Sequence, residues 1–255
     1  MIHIHDAGAV RTAILDNRAR RNAIQSHEWA VLADAFAEFD ESHQRVLVVR
    51  GAQDDFCSGA ALGGGDVPEG LAGSYDLMGR VDRAARALHE TTKPTIAAVD
   101  GVAAGAGMNL ALGCDLLVAT TRARFTEIFV RRGLTLDFGG TWLLPRRVGL
   151  ARAKDLALTG RVVDAAEAME MGIISRLVEP EALDTTVMGL ADQLSSGAPL
   201  AQAFIKRGLD RSLGMAMDEA LAYEAQTQAI CINSEDATEG VAAFVEKRPP
   251  QFKGR

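Results

Sequence analysis

The segment from Thr95 to Asp115, TIAAVDGVAAGAGMNLALGCD, constrains the fold most strongly, because it predicts a strand, a tight turn and a helix in immediate succession. Residues 95–99 form an apolar, β-prone run, Asp100-Gly101 is a turn signal, and an apolar helical pattern follows. Glycines in the turn let a ligand approach the main chain closely. Free N–H groups at the start of the helix favour negative charge. The segment therefore predicts a strand–turn–helix unit that can bind an anionic group.

Strands and helices alternate on both sides of this segment, which predicts a layered α/β domain. The predicted strands are 2–5, 9–15, 46–49, 115–119, 123–129 and 173–178, and the predicted helices are 26–39, 71–89, 141–158 and 164–171. Ser26 is the expected N-cap of the first helix. Beyond Pro180 only helical patterns occur, over 181–195, 200–213, 215–230 and 234–246. We therefore expect an α/β core over residues 1–195 and a helical module over 196–255 that packs on the core or on another subunit.

Composition excludes several classes of function. The formal net charge of −7 over 255 residues argues against a nucleic-acid-binding protein, which would present a basic face. No apolar stretch approaches the roughly 20 residues of a membrane span, and the N-terminus does not resemble a signal peptide, so we expect a cytoplasmic protein. Three widely spaced cysteines suggest neither disulfides nor a metal cluster. The motifs GxxxxGK[ST], HExxH, GxSxG and CxxC are absent, and Leu110 stands where a dinucleotide loop needs its third glycine.

Two glycine-rich turns remain as candidates for chemistry, FCSGA at residues 56–60 and AGAG at residues 104–107. Each follows a predicted buried strand. Two such turns can aim two main-chain N–H groups at one oxygen, which is what an oxyanion hole requires, and each donor is typically worth about 3 kcal/mol in the transition state. Taken alone, the two segments are better explained as ordinary tight loops.

Four motifs occur along the chain in this order: FCSGA, TTKPTIAAVDGVAAGAG, GGTWLLPRRVG and EDATEGVAAFVEKRPPQF. With these motifs, the chain resembles the enoyl-CoA hydratase/isomerase (crotonase) family along nearly its whole length. The resemblance implies a crotonase (ClpP-like) spiral of ββα units with C-terminal helices at subunit interfaces of a homotrimer or a dimer of trimers. It also implies an acyl-CoA thioester substrate, with coenzyme A as part of that substrate and no separate cofactor or metal. Ala60 and Ala106 take the positions of the two oxyanion-hole donors.

The chain departs from the family's hydratases at both of their catalytic glutamates. Asn109 and Phe129 stand at those positions, and neither side chain can act as a base. Adding water to a double bond requires both a base and a proton donor. Glu127 lies two residues before Phe129, on the same face of an extended segment, and is the alternative base.

Asp137, in the segment GLTLDFGG, stands where the family's isomerases keep an acid/base carboxylate. Its surroundings, LDFGGTWLLP and VAAGAGMN, resemble especially the phenylacetate-pathway ring-epoxide isomerases. One carboxylate suffices for an isomerase, because it can take a proton from one carbon and return it to another while the oxyanion hole holds the dienolate. Apolar neighbours would raise its pKa. The alternative interpretation is an N-cap for the helix that begins near Gly139.

The resemblance also suggests contacts to the substrate. Arg18 and Arg21 suit the phosphates of coenzyme A, and Lys247 could reach the nucleotide bound by a neighbouring subunit. Leu62, Phe129 and Phe138 are predicted substrate contacts. We therefore predict an acyl-CoA isomerase. The alternatives are an enoyl-CoA hydratase with an atypical base, a non-catalytic acyl-CoA-binding protein, and an enzyme that uses Asp137 as a nucleophile, as in the family's dehalogenases.

Overall fold

The computed structural model describes residues 1–61 and 69–255 and confirms the predicted α/β class. Its strands are β1 (Ile2–Ala7), β2 (Val10–Leu15), β3 (Val46–Gly51), β4 (Thr95–Val99), β5 (Val102–Ala104), β6 (Leu116–Thr120), β7 (Arg124–Thr126), β8 (Val163–Asp164) and β9 (Arg176–Val178). Its helices are α1 (Glu28–Glu41), α2 (Gly70–Glu90), α3 (Ala106–Gly113), α4 (Gly140–Val148), α5 (Leu150–Thr159), α6 (Ala165–Met171), α7 (Leu183–Ser195), α8 (Pro199–Ser212), α9 (Met217–Ile232) and α10 (Glu235–Glu246).

The main sheet has six strands in the order β1-β2-β3-β4-β6-β9, parallel throughout except for the hairpin of β1 and β2. Strand β4 is buried along its whole length because helices cover both faces of the sheet. Its alternate residues separate the two sides: Ala97 and Val99 pack in the large core with α1, α2 and α3, whereas Ile96 and Ala98 pack with α7. A second, three-stranded sheet, β5-β7-β8, follows the turn after β4.

Several sequence-based boundaries were wrong, including the three that follow and the strand predicted over 173–178, which covers only Arg176–Val178. The predicted helix over 141–158 is two helices, because the chain turns at Gly149 with φ +79°. The predicted strand over 123–129 ends at Thr126 and is followed by a short 3-10 helix, Ile128–Arg132. Helix α1 begins at Glu28 rather than after Ser26, and the Glu28 carboxylate accepts a hydrogen bond from the Gln25 N–H (2.8 Å) instead of a serine cap.

The last three helices expose much apolar surface. Neither α8 nor α9 contains a fully buried residue. Exposed apolar side chains on α8 to α10 and their connections include Ile205, Leu209, Leu213, Met217, Leu221, Ile230, Ile232, Val241, Phe244 and Val245. The predicted division near residue 196 coincides with the loop between α7 and α8, and the subunit-contact role of residues 196–255 stays a prediction. Across the described ranges, no helix is both long and apolar enough to cross a membrane.

Candidate active site

The two glycine-rich turns are joined by main-chain hydrogen bonds. The N–H groups of Phe56 and Cys57 donate to the Val102 carbonyl (3.1 and 2.9 Å), and the Ala104 N–H donates to the Cys57 carbonyl (2.9 Å). Gly107 allows this approach, because a Cβ atom on it would lie 2.3 Å from the Cys57 carbonyl oxygen. The two turns that the sequence singles out are therefore neighbours in space.

Ala60 and Ala106 lie on these neighbouring turns. A Cβ atom placed on Gly59 would be 3.5 Å from the Ala106 nitrogen. Ala106 is the first residue of α3, so its N–H has no acceptor within the helix. Ile24 bonds to the residues on either side of Ala60, through the Gly59 carbonyl (2.9 Å) and the Ala61 N–H (2.8 Å), which directs the Ala60 N–H away from Ile24. Neither alanine N–H donates to an acceptor within residues 1–61 and 69–255.

Asn109 links the start of α3 to the carboxyl group of Glu127 and to the main chain of Asp137. Its side chain is fully buried (0% exposed), one helical turn after Ala106. The Asn109 Nδ2 donates to the main-chain carbonyl of Asp137 at 3.0 Å and lies 3.5 Å from Glu127 Oε2. Gly140 leaves room for this amide, because a Cβ atom there would be 2.3 Å from Nδ2. Asn109 thus lies between Glu127 and the loop that carries Asp137.

The backbone around Asp137 is held in an uncommon conformation. Phe138 has φ +48°, in the left-handed region that non-glycine residues adopt at a cost of about 1–2 kcal/mol. Its buried ring packs on Trp29, with ring centroids 5.6 Å apart, and this packing stabilises the conformation. The N-cap of α4 is Gly139, and no side chain caps that helix. The interpretation of Asp137 as a helix cap is therefore wrong.

Glu127 is fully buried and Asp137 is half-buried. Burial raises the pKa of Asp137 to about 7, with a smaller contribution from the charge of Asp82. Burial raises the pKa of Glu127 to about 8; the negative charge of Asp137 adds to this rise, and the contact with Asn109 opposes it. Neither group forms an ion pair with a lysine, arginine or histidine in residues 1–61 or 69–255. Asp137 Oδ1 and Glu127 Oε1 are buried without hydrogen-bond partners among the same residues.

A sequence model of the enoyl-CoA hydratase/isomerase family matches residues 6–255, which is almost the whole chain. The chain belongs to this family. Among curated relatives, it is 38% identical over 257 residues to the 1,2-epoxyphenylacetyl-CoA isomerase of Escherichia coli (strain K12), covering 98% of this chain and 97% of the relative. It is 32% identical over 252 residues to the short-chain-enoyl-CoA hydratase of Clostridium acetobutylicum, covering 97% of this chain and 96% of the relative.

A solved structure of enoyl-CoA hydratase from Bacillus anthracis superimposes with a TM-score of 0.94 at 28% identity, covering 100% of this chain and 99% of that one. The crotonase fold that the sequence predicted is therefore confirmed. The relatives include both isomerases and hydratases, so they support the coarser activity of an acyl-CoA hydratase/isomerase.

The segment 18–21, predicted to bind coenzyme A, adjoins the first glycine-rich turn of the candidate site. The Arg21 carbonyl accepts a hydrogen bond from the Ser58 N–H (2.9 Å), and the exposed Arg21 guanidinium lies 3.8 Å from Asp55. Arg18 is also exposed and pairs with Asp16 at 3.1 Å. Lys247 is exposed at the C-terminal end of α10. Their contacts with coenzyme A stay predictions.

The predicted acyl-group contacts occupy different environments. Phe129 is buried beside the second turn, where its ring would lie 3.5 Å from a Cβ atom on Gly105. Phe138 is buried in the core against Trp29. Leu62 lies outside the described residues. The role of these three residues in substrate binding stays a prediction.

Glu127 is the candidate site residue that the sequence pattern indicates most weakly. The expectation that residues 127 and 129 share one face assumed an extended strand, but the strand ends at Thr126 and the chain continues into a 3-10 helix. The available signal was a single acidic residue within the otherwise apolar run FTEIFV. Only the packing of this turn on α3 shows that the carboxyl group is buried beside Asn109.

Glu127→Gln should make the protein more stable at neutral and mildly alkaline pH. The raised pKa means that the native state keeps a proton that the unfolded chain releases above about pH 4.5, so the unfolding free energy of the wild type falls as pH rises toward 8. The variant has no such proton, and we expect it to gain about 2–4 kcal/mol relative to wild type between pH 5 and pH 8. Urea unfolding at several pH values measures this difference.

The matched control is Glu28→Gln. Glu28 is also buried, but its carboxylate is paired with the N-terminal ammonium group at 2.8 Å. Removing that charge should lower stability rather than raise it. A stability difference between wild type and Glu127→Gln that does not change with pH would contradict the assignment of a buried, protonated Glu127.

Proposed function

We propose that this protein is an acyl-CoA isomerase in which Asp137 is the acid/base and the N–H groups of Ala60 and Ala106 form the oxyanion hole. The observation that carries the proposal is the state of Asp137: its Oδ1 is buried without a hydrogen-bond partner among the described residues, and it caps no helix. A carboxyl group with this burial and a pKa raised to about 7 can both accept and return a proton near neutral pH.

The chemistry follows from these groups. The Asp137 carboxylate removes a proton from a carbon of the acyl chain that is activated by the thioester. The resulting negative charge develops on the thioester oxygen, where two main-chain N–H donors stabilise the dienolate. Asp137 then returns the proton to a carbon two bonds away, or the activated ring rearranges. Coenzyme A belongs to the substrate, so this scheme requires no separate cofactor.

Asn109 and Phe129 favour isomerisation over hydration. Neither side chain can take a proton from water, and both side chains are buried. Two relatives frame the alternatives, an isomerase acting on 1,2-epoxyphenylacetyl-CoA and a hydratase of short-chain enoyl-CoA. We infer that the substrate is an acyl-CoA whose double bond is shifted or whose activated ring is rearranged.

The test is a comparison of two reactions with the purified protein. Isomerisation of 3-enoyl-CoA to 2-enoyl-CoA should be at least about tenfold faster, in kcat/KM, than hydration of 2-enoyl-CoA. Faster hydration that survives Asp137→Asn would support a hydratase with an atypical base. Acyl-CoA binding without turnover of enoyl-CoA or of a ring epoxide would support a non-catalytic binding protein. Incorporation of solvent ¹⁸O into Asp137 after a single turnover would indicate a nucleophilic carboxylate.

We further propose that Arg18 and Arg21 contact the phosphates of coenzyme A. Both guanidinium groups are exposed, and the Arg21 main chain is bonded to the turn that carries Ala60. A thioester held at that turn would leave its nucleotide portion within reach of this loop. We propose that Lys247, at the end of α10, contacts the nucleotide bound at the site of an adjacent subunit.

A homotrimer or a dimer of trimers should be the form in solution. The apolar side chains of α8 to α10 are exposed in a single chain, and burying them against other copies would stabilise the protein by the hydrophobic effect. Multi-angle light scattering should therefore give three or six times the chain mass of 27.1 kDa. A monomer at micromolar concentration would contradict this proposal.

A further inference from the structure

Glu127 is a buried acid with no charge partner among residues 1–61 and 69–255. Its side chain is 0% exposed, and within the described residues its Oε1 has no hydrogen-bond partner. The contact of Oε2 with Asn109 Nδ2 is long, at 3.5 Å. Glutamine would fill nearly the same volume without burying an acid, so stability does not explain the carboxyl group. Unpaired buried acids of this kind are concentrated at functional sites.

The position of Glu127 places it beside the proposed oxyanion hole. The carbonyl of the preceding Thr126 accepts a hydrogen bond from the N–H of Gly105 (2.9 Å), the residue before Ala106. The carboxyl group itself contacts Asn109, one turn after Ala106 on the same helix. The same Asn109 amide bonds to the Asp137 carbonyl. Asn109 therefore contacts both segments that carry a carboxyl group, the turn at Glu127 and the loop at Asp137.

We propose that Glu127 is a second proton carrier of the site, which delivers the proton to the product in place of Asp137; this role rests on the isomerase function proposed above. The Asp137 carboxylate takes a proton from one carbon, which gives the dienolate and a neutral Asp137. The Glu127 carboxylic acid donates its own proton to the carbon two bonds away, which forms the C–H bond of the product and leaves a Glu127 carboxylate. The proton on Asp137 then passes to Glu127, directly or through water. Both groups are restored and no co-reactant is consumed.

The charges around the pair support this division of roles. The charge of Asp137 acts on Glu127, and the charge of Asp82 acts on Asp137, so the charges that act on the pair are negative. One negative charge on the pair therefore opposes a second. Glu127 is fully buried, whereas Asp137 is half-buried, so burial disfavours the charged form more strongly at Glu127 and the proton stays there while Asp137 is ionised. The site then holds a base and an acid at the same pH.

The test compares wild type, Glu127→Gln and Glu28→Gln in 3-enoyl-CoA isomerisation at pH 7. We expect Glu127→Gln to lower kcat about 100-fold with KM changed less than threefold, because acid–base groups typically contribute 10²- to 10⁴-fold. Glu28 lies outside the proposed site, at the start of α1, and its replacement should change kcat less than threefold. An unchanged kcat in Glu127→Gln would overturn the role of Glu127 and leave that of Asp137 standing. A wild type without isomerase activity would overturn the isomerase function itself, and the role of Glu127 with it.

A single-turnover measurement keeps the proposal testable if Glu127→Gln does not fold, as judged by circular dichroism. Wild-type protein in excess is mixed, in ordinary water, with substrate deuterated at the carbon that loses its proton. If Glu127 delivers its own proton, the receiving carbon of the product carries protium. Deuterium retained at that carbon would show that Asp137 returns the proton it removed, which overturns the proposal.

Discussion

Asp137→Asn should lower kcat for isomerisation about 1000-fold and leave KM within about threefold of wild type. Asparagine keeps the shape of the side chain and the left-handed backbone at the following Phe138 but cannot accept the proton from the substrate. The wild-type kcat/KM should also rise with pH through about 7, because burial raises the pKa of Asp137 to that value and only its ionised form is a base. Steady-state kinetics from pH 5.5 to 9 measure both effects.

Asp82→Asn is the matched control. Asp82 is an exposed residue of α2 whose negative charge contributes to the raised pKa of Asp137. Its replacement should move the pH midpoint of kcat/KM slightly downward and change the maximum rate less than threefold. Isomerase activity in Asp137→Asn within tenfold of wild type would contradict the assignment of Asp137 as the base.

The sequence predicts the fold well where local pattern and packing agree. Strand β4 and the start of α3 follow from an uninterrupted apolar run, a turn signal and a cluster of glycines, and the structure has them where the pattern places them. The break at Gly149 was missed because the apolar spacing continues across it, and only the backbone conformation shows that two helices meet there.

The site was predictable only in part, because its geometry depends on contacts between distant segments. The proximity of residues 56–60 and 104–107 could be inferred as a hypothesis from two turns after adjacent parallel strands. The contact between Asn109 and Glu127 could not, since it requires the strand at Thr126 to end and the chain to turn onto α3. The left-handed conformation of Phe138 could not be predicted either, because the packing of its ring on Trp29 overrides the preference of a bulky residue for negative φ.

Gly107→Ala should destabilise the protein by about 3 kcal/mol and lower kcat/KM for isomerisation at least about tenfold, because the two glycine-rich turns are in close contact at Gly107. The added Cβ would lie 2.3 Å from the Cys57 carbonyl oxygen and 2.8 Å from its Cβ atom, and this carbonyl is fixed by the hydrogen bond from Ala104. Such overpacking commonly costs 1–3 kcal/mol, and here the strain can be relieved only by moving the turns apart. That movement would separate the Ala60 and Ala106 N–H groups, so the transition state would lose stabilisation as well.

Gly189→Ala is the control that separates this clash from the general effect of adding a methyl group to a helical glycine. Gly189 lies on α7, and a Cβ atom there meets nothing within 4 Å. Because alanine is the better helix former, this variant should gain up to about 1 kcal/mol and keep its isomerase activity. Thermal unfolding and kcat/KM for both variants decide the question. If Gly107→Ala matched Gly189→Ala in stability and activity, close contact between the turns would not be needed, and an oxyanion hole built from Ala60 and Ala106 would lose its main structural support.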